Sequence, residues 1–382
     1  MKLVEKLLRR VPYVIRLTAE LNRIKRERDQ LQNYFNHCTA EKAELETMAS
    51  NYSLEKESVD QQLARAGADL IRARAELEEI EAKVSQDQLV REHIEQHLVK
   101  LELELNRYKT WVPPGHFLSP IPCVDEVRRK EAEIYHVPRT MPGINLREEQ
   151  QLILFDTLLK YYSEQPFPEQ KSPVRRYWFD NPAYSYSDAI LLFCMIRYLR
   201  PKNIIEVGSG FSSCAILDTN ELFFNNSIAC SFIEPNPELL FSLIREDDKH
   251  RITLVEKNLQ DTDLELFAPL SPGDILFIDS SHVSKIDSDV NFIFFKLLPS
   301  LKSGVYIHLH DIFYPFEYPL DWVYEGRAWN ETYLLRAFLE YNNAFEVQLF
   351  NTFIDWFHKE RYFRDMPLVK KNTGGSIWLK KL

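Results

Sequence analysis

Residues 204–213 of this chain are Ile204-Ile205-Glu206-Val207-Gly208-Ser209-Gly210-Phe211-Ser212-Ser213. A short apolar run ends at an acidic residue, two glycines follow one residue apart, and a helix-compatible segment comes next. This order is typical of a buried parallel strand that turns sharply into the N-terminus of a helix. Glycines allow a ligand to approach the backbone, and the free N–H groups at a helix start suit an anionic group. The stretch therefore predicts a binding turn for a nucleotide-like cofactor, although an ordinary tight turn has the same pattern.

The composition limits the classes of partner and the compartment. A chain of 382 residues is long enough for more than one domain of roughly 100–200 residues. Its net charge of −10 suits nucleic acid poorly, so we expect no nucleic-acid partner. The five cysteines form no metal-type pair, which predicts reduced thiols in a cytoplasmic protein. Residues 1–17 could form a basic amphipathic helix on a membrane surface, or a helix that contacts a partner protein.

A heptad pattern dominates the N-terminal part of the chain. It runs from Leu17 to Tyr108, and its core positions are mostly apolar and include no proline. A 3.5-residue repeat kept over this length predicts a long α-helical, left-handed coiled coil within residues 1–110, through which the chain would form a homo-oligomer. A helical hairpin that folds back on itself would show the same pattern.

Two further domains are predicted after the coiled coil. Prolines and a glycine in Trp111-Val112-Pro113-Pro114-Gly115 end the helix, and a proline-rich linker with a helical cap is predicted over residues 111–175. From residue 176 to 382, short apolar runs alternate with helical segments. The runs lie at 204–207, 228–233, 252–255, 274–279, 305–309, 345–350 and 376–379. This alternation predicts a Rossmann-like, doubly wound α/β domain with a mostly parallel sheet, which binds ligands at the carboxyl ends of its strands.

An acidic residue follows the second of these strands. Glu234 lies there, where a carboxylate can accept both ribose hydroxyls of an adenosine cofactor. Ser213 stands where a dinucleotide-binding fingerprint would have its third glycine. This difference disfavours a nicotinamide-dependent oxidoreductase, which remains an alternative.

Several passages together resemble a known family. The turn at Glu206–Gly210, Glu234 and the strand Asp274–Asp279 are similar to those of class I S-adenosylmethionine-dependent methyltransferases. Within that class, the branch of macrocin O-methyltransferase-like and cephalosporin-hydroxylase-like proteins has passages like the following ones. They are Pro114-Gly115-His116-Phe117, Arg176-Tyr177-Trp178, Asp279-Ser280-Ser281-His282-Val283, His308-Leu309-His310-Asp311-Ile312-Phe313 and Trp329-Asn330-Glu331. The resemblance covers residues 113–382 and not the coiled coil.

The resemblance implies both a reaction and a cofactor site. A methyl group would pass from S-adenosylmethionine to a hydroxyl oxygen of a small-molecule, sugar, glycan or natural-product-like acceptor. Glu206 and the turn Gly208-Ser209-Gly210 would border the methionine part of the cofactor, with Ser212 and Ser213 nearby. Glu234 would hold the ribose.

A second group of residues is predicted at the ends of the fourth and fifth strands. Neighbouring strands lie ~4.8 Å apart, so Asp279, Asp311 and His310 can converge on one ion, and this donor set suits Mg²⁺ or Mn²⁺. His282 follows Asp279 by three residues and is the predicted general base for the acceptor hydroxyl. His310 stands where metal-dependent relatives have a carboxylate. Nearby His308 is predicted to be a packed core histidine.

A non-catalytic alternative also remains. In it the coiled coil is a scaffold or sets a length, and the α/β domain binds the cofactor without turnover. Asp279, His282 and Asp311 favour the enzyme, because a cofactor-binding scaffold has no need of an acid–base group.

Overall fold

The structure, a computed structural model, describes residues 12–52, 60–106 and 111–382, with the side chains of residues 16–44, 71–105 and 111–382. It divides into two compact units between Cys123 and Val124. The predicted domain limits of 1–110, 111–175 and 176–382 stay predictions. The membrane-surface helix predicted over residues 1–17 falls mainly on residues 1–11, outside the described residues.

The first unit contains a pair of long helices, α1 (Pro12–Tyr52) and α2 (Asp60–Asn106). The side chains buried between them all lie at predicted heptad core positions. They are Leu17, Leu21, Ile24, Leu98 and Leu101. Early residues of α1 thus meet late residues of α2, and Lys42 pairs with Glu81 at 2.9 Å, so the helices are antiparallel. The hairpin alternative therefore describes this unit, because a heptad pattern identifies the apolar face of a helix but not the partner that covers it.

The second unit is built on one seven-stranded sheet. The strands are β1 (Asn203–Val207), β2 (Ala229–Ile233), β3 (Ile252–Val255), β4 (Ile275–Ile278), β5 (Tyr306–His310), β6 (Phe345–Phe350) and β7 (Ser376–Lys381). Their order across the sheet is β3-β2-β1-β4-β5-β7-β6. The first five strands are parallel, and β7 is antiparallel to both β5 and β6. The predicted doubly wound, mostly parallel fold is confirmed.

Helices connect and cover the strands of this sheet. They are α3 (Val124–Arg129), α4 (Glu131–Ile134), α5 (Glu148–Tyr162), α6 (Ser187–Leu199), α7 (Phe211–Phe224), α8 (Glu238–Leu243), α9 (Asp289–Phe292), α10 (Leu298–Ser300), α11 (Leu320–Glu325), α12 (Glu331–Leu339) and α13 (Asn351–Asp365). A π-helical turn, Ile293–Leu297, joins α9 to α10. In α6 every residue from Ser187 to Ile196 is buried, which explains its nearly continuous apolar sequence.

The register of the sheet determines where the site lies. Val207 of β1 pairs with Ile278 of β4, and Ile278 pairs with Leu309 of β5. The residues that follow these strands therefore emerge at one edge of the sheet. The chain continues from β1 to β2 on one side and returns to β4 on the other, and such a reversal creates a crevice at the carboxyl ends of the strands.

Two further predictions concern the cysteines and the membrane. All five cysteines are free thiols, and four of them are buried. In the part of the chain that the structure describes, no helix has both the length and the apolarity that a membrane span requires.

Candidate active site

The glycine turn between β1 and α7 contacts the end of β4. Gly208 has a φ of 78°, a conformation that favours glycine. A Cβ atom at this position would lie 2.3 Å from the backbone oxygen of Asp279, which no side chain can tolerate. Gly210 differs, because its φ of 169° is extended and a Cβ there would meet only the side chain of Leu239 at 3.3 Å. Glycine is therefore required at position 208 because the turn packs directly against the backbone of Asp279.

Glu206 is fully buried beneath this turn. Its carboxylate accepts hydrogen bonds from the hydroxyls of Ser212 at 2.5 Å and Ser213 at 2.6 Å. The Ser213 oxygen in turn accepts the N–H of Gly210 at 3.0 Å. Burial raises the pKa of Glu206 to about 8, although the two hydroxyls act in the opposite direction. The predicted residues are thus gathered together, but these bonds tie them to one another and to the start of α7. Their contact with a cofactor stays a prediction.

Glu234 lies at the carboxyl end of β2, as the sequence predicts. One carboxylate oxygen accepts the N–H of Ser209 at 3.1 Å, and the other accepts the N–H of Asn236 at 2.8 Å. Two backbone donors therefore fix the direction of this half-buried carboxylate, while each oxygen keeps a lone pair for another donor. The Ser209 hydroxyl is buried and finds no hydrogen-bond partner among the described residues.

A second cluster, the acid–base cluster, comprises Asp279, His282, His310 and Asp311 at the ends of β4 and β5. His282 Nε2 lies 3.3 Å from Asp279 Oδ1 and 3.7 Å from Asp311 Oδ2. His310 Nδ1 lies 3.4 Å from Asp279 Oδ1, and His310 Nε2 lies 3.7 Å from Asp311 Oδ1. The structure thus brings together all four residues that the sequence predicts at this edge.

Two residues of this cluster have unusual backbone conformations. His282 has a φ of 59° and Asp311 a φ of 56°, both in the left-handed region that side chains other than glycine rarely adopt. Such conformations persist where the surrounding structure imposes them, and they are concentrated at functional sites.

Two acidic residues that the sequence analysis did not assign complete the cluster. Glu331, the first residue of α12, lies 2.8 Å from His282 Nδ1, and Asp188 of α6 lies 3.6 Å from His310 Nε2. Asp188 also accepts hydrogen bonds from Ser376 and from the backbone of Gly375. Glu331 occurs in a passage that resembles the methyltransferase family, and this resemblance could have indicated Glu331 as a site residue. Asp188 lies in an apolar segment and offered none beyond its position in the first turn of a helix.

His308 is a core residue, as predicted. It is fully buried, and its ring lies between Phe277 and Trp378 at centroid distances of 4.4 and 4.7 Å. Burial and the neighbouring His310 charge lower the pKa of His308 to about 3.

Mutual electrostatic effects set the charges of the acid–base cluster. Burial opposes the ionisation of Asp279, but His310 and His282 outweigh it and hold the pKa of Asp279 below its usual range. Burial likewise favours a neutral His282, yet hydrogen bonds with Asp279 and Glu331 raise the pKa of His282 to about 10. The predicted general base requires a neutral His282 ring. In this structure the surrounding carboxylates favour the protonated ring instead.

The cluster could also hold a cation. Asp279, His282 and Asp311 can each offer one ligand atom, and these atoms lie within 4.8 Å of one another. The predicted metal ligands were Asp279, His310 and Asp311. His310 faces Asp279 with Nδ1 and Asp311 with Nε2, so no single nitrogen is shown facing both carboxylates. The structure thus offers a set with His282 in place of His310, and metal binding by either set stays a prediction.

Comparisons with known proteins indicate the family of the chain. Residues 205–312 match the family described as a methyltransferase domain, and this range begins in β1 and ends just after Asp311. An uncharacterized protein of Archaeoglobus fulgidus is 36% identical over 168 residues, which are 41% of this chain and 73% of that protein.

Solved structures show more distant similarity. The SAH-bound methyltransferase of Podospora anserina is 14% identical, and the match covers 72% of this chain and 99% of that one with a TM-score of 0.34. A Streptomyces achromogenes O-methyltransferase involved in tomaymycin synthesis, in complex with SAM, is 12% identical over 67% of this chain and 96% of that one, with a TM-score of 0.33. The identity to the Archaeoglobus protein over most of its length, together with the domain match, shows that the chain belongs to the methyltransferase family.

Proposed function

We propose that this methyltransferase moves the methyl group of S-adenosylmethionine to a hydroxyl oxygen of a sugar, glycan or natural-product-like acceptor. The observation that supports this most is the contact between the glycine turn and the acid–base cluster. The backbone oxygen of Asp279 occupies the space that a side chain at Gly208 would need. A donor bound at the turn would therefore lie beside groups that can remove a proton, as methyl transfer to a hydroxyl requires.

The residues near the turn suit an adenosine cofactor. Glu234 is held by two backbone N–H groups and retains lone pairs for ribose hydroxyls. Ser209 has a buried hydroxyl with no partner in the described part of the chain, as expected of a group that bonds a ligand. Glu206, Ser212 and Ser213 would act by holding the turn and the start of α7 in place, since they already bond one another.

His282 is the proposed general base. Its Nε2 atom faces Asp279 and Asp311 at the sheet edge, where the acceptor hydroxyl would lie. A base must be neutral before it can accept a proton, whereas the free cluster favours the protonated ring. Binding of the cationic sulfonium donor nearby would oppose that protonation, because like charges repel.

The proposal also includes a divalent cation bound at the acid–base cluster. Asp279 and Asp311 are the carboxylates that would hold Mg²⁺ or Mn²⁺, with either His282 or His310 as the third ligand. Such an ion would stabilise negative charge on the acceptor oxygen. Nε2 of His282 cannot hold an ion and accept a proton at once, so a metal on His282 would exclude it as the base.

Transfer of a radiolabelled methyl group from S-adenosylmethionine to glycan extracts and nucleotide-linked sugars tests the function. We expect His282→Ala to reduce transfer by about 10²- to 10⁴-fold, the usual contribution of a general base. S-adenosylhomocysteine affinity, measured by calorimetry, should stay within a few-fold. His250→Ala, at an exposed histidine, is the matched control and should retain full transfer. Undiminished transfer by His282→Ala would refute the base, and failure of the wild-type protein to bind S-adenosylhomocysteine would refute the donor.

A further inference from the structure

We propose that Glu331 is a positioning residue, which holds the Nδ1–H of His282 so that the Nε2 atom of the neutral ring presents its lone pair to the sheet edge. This inference rests on the proposed function, because it concerns the same histidine. It does not depend on whether His282 removes a proton or binds an ion. Either role needs the lone pair on Nε2.

The contact between the two side chains is short and shielded from water. His282 Nδ1 lies 2.8 Å from Glu331 Oε2, and the two residues are 4% and 1% exposed. The other carboxylate oxygen, Oε1, is buried and has no hydrogen-bond partner among the residues described. A carboxylate is acceptor-only when ionised, so the ring nitrogen beside it must be the donor.

The backbone around the pair holds it in this geometry. The N–H groups of Asn330 and Glu331 donate to the backbone oxygen of His282 at 2.9 and 3.1 Å. Asn330 Oδ1 accepts the N–H of Ser284 at 2.6 Å, which fixes the loop just after His282. The start of α12 is therefore bonded to the left-handed turn at His282, and the backbone of His282 cannot move away from Glu331 without breaking these bonds.

An aromatic side chain limits rotation of the imidazole. The centroids of the Trp329 and His282 rings are 4.3 Å apart, with 34° between the ring planes. Three successive residues, Trp329, Asn330 and Glu331, thus contact the face, the backbone and the Nδ1 edge of one histidine. Only the Nε2 edge remains directed at Asp279 and Asp311.

The distances indicate which ring nitrogen has the tighter partner. Nδ1 is 2.8 Å from its carboxylate, whereas Nε2 is 3.3 Å from Asp279 and 3.7 Å from Asp311. Nitrogen–oxygen hydrogen bonds weaken beyond about 3.2 Å, so the Nε2 proton is held less tightly. The geometry therefore favours a proton on Nδ1, the arrangement that leaves Nε2 available.

Proton NMR of the full-length protein with ¹⁵N-labelled histidine tests the positioning without any acceptor. We expect a strongly deshielded ring N–H signal that disappears in His282→Gln and is therefore assigned to His282. Glu331→Gln, which keeps the size of the side chain, should shift this signal upfield, and Glu331→Ala should remove it. Glu340→Gln, at the other end of the same helix, is the matched control and should leave it unchanged. A signal that is unaltered in both Glu331 variants would overturn the inference.

Methyl transfer provides the second readout. We expect Glu331→Gln to lower kcat by about 10- to 100-fold while the KM for S-adenosylmethionine changes less than about two-fold, as for other residues that orient a histidine. In a His282→Ala background, Glu331→Gln should cause no further loss, because the two residues act as a unit. An additional ten-fold loss there would contradict a role through His282. If His282→Ala itself were fully active, the proposed role of His282 as the base would fail, and the NMR signals would still decide the positioning.

Discussion

Arg176 is buried in the α/β unit and the acid–base cluster is buried or half-buried in it, but their charges are balanced in different ways. The Arg176 guanidinium bonds Asp218 at 2.8 Å, Glu221 at 2.6 Å and Asp248 at 2.5 and 2.6 Å. Every nitrogen of that side chain has a partner at hydrogen-bond distance. In the acid–base cluster, the contacts among His282, His310, Asp279 and Asp311 are 3.3 to 3.7 Å long.

The difference distinguishes a structural network from the one that we propose to be functional. A network in which every donor has a partner has no capacity for a ligand. Arg176 lies in the segment before α6, and its partners attach that segment to α7 and to the region before β3. The acid–base cluster has long contacts, two left-handed residues and a buried carboxylate oxygen of Glu331 without a partner in the described chain. Groups arranged in this way can exchange a proton, an ion or a substrate hydroxyl without first breaking a strong bond.

Removal of the arginine should have the largest effect on stability. Arg176→Met would leave Asp218 and Asp248 buried with side-chain exposures of 1% and 3%, and loss of one partner of a buried ion pair costs about 3–5 kcal/mol. Urea denaturation measures this free energy of unfolding. Arg245→Met is the matched control, since its side chain is 41% exposed and its pair with Glu221 should contribute at most about 1 kcal/mol. Equal losses in the two variants would remove the distinction between the networks.

Changes in the acid–base cluster should affect turnover more than stability. We expect Asp279→Asn and Asp311→Asn each to lower methyl transfer by about 10- to 100-fold, with no recovery on addition of Mg²⁺. EDTA should reduce the wild-type rate if a divalent ion is used. Full activity in EDTA would refute the metal and leave His282 as the proposed base. A large loss of stability in either variant would instead make the cluster resemble the Arg176 network.

Glu206 is an intermediate case, and its effect should appear only as a dependence of stability on pH. It is a buried carboxylate whose hydrogen-bond donors are hydroxyls, with a pKa raised by burial to about 8 from 4.5. The folded state thus keeps a proton that the unfolded state releases, so Glu206 favours folding at low pH and this contribution is lost as the pH rises towards 8. Glu206→Gln lacks this dependence. Its Tm relative to that of the wild type should therefore increase between about pH 5 and pH 8.

A constant Tm difference across that pH range would contradict the raised pKa of Glu206. Ser231→Ala, at a half-buried position of neighbouring β2, is a control that adds no titrating group and should give a constant difference.

The sequence predicted the sheet well because its signals are local. Each of the seven strands is a short apolar run, and each was found within about two residues of its predicted limits. The edge that holds Asp279 and Asp311 follows from strand order alone, since neighbouring parallel strands end together. Helix α13 was not predicted, and most of its residues are polar or charged.

The partners of the two site histidines could not be predicted from spacing. Glu331 is 49 residues from His282, and contacts at such separations are made by the fold and not by a local pattern. The same reason explains the hairpin, because a heptad series does not contain the position at which a chain reverses direction. Local chemistry therefore indicated Asp279, His282, His310 and Asp311 as candidates, and the tertiary structure placed Glu331 and Asp188 beside the two imidazoles.

The bonds of Asp188 have a consequence for the order in which the protein can mature on the ribosome. Its carboxylate is satisfied by Asn351, Gly375 and Ser376, which follow it by 163, 187 and 188 residues. A nascent chain that has not yet passed residue 376 must keep this acid hydrated or paired elsewhere, because burial without donors would be costly. The α/β unit can therefore reach its native packing around α6 only when translation has delivered β7, and catalytic competence should appear late in synthesis.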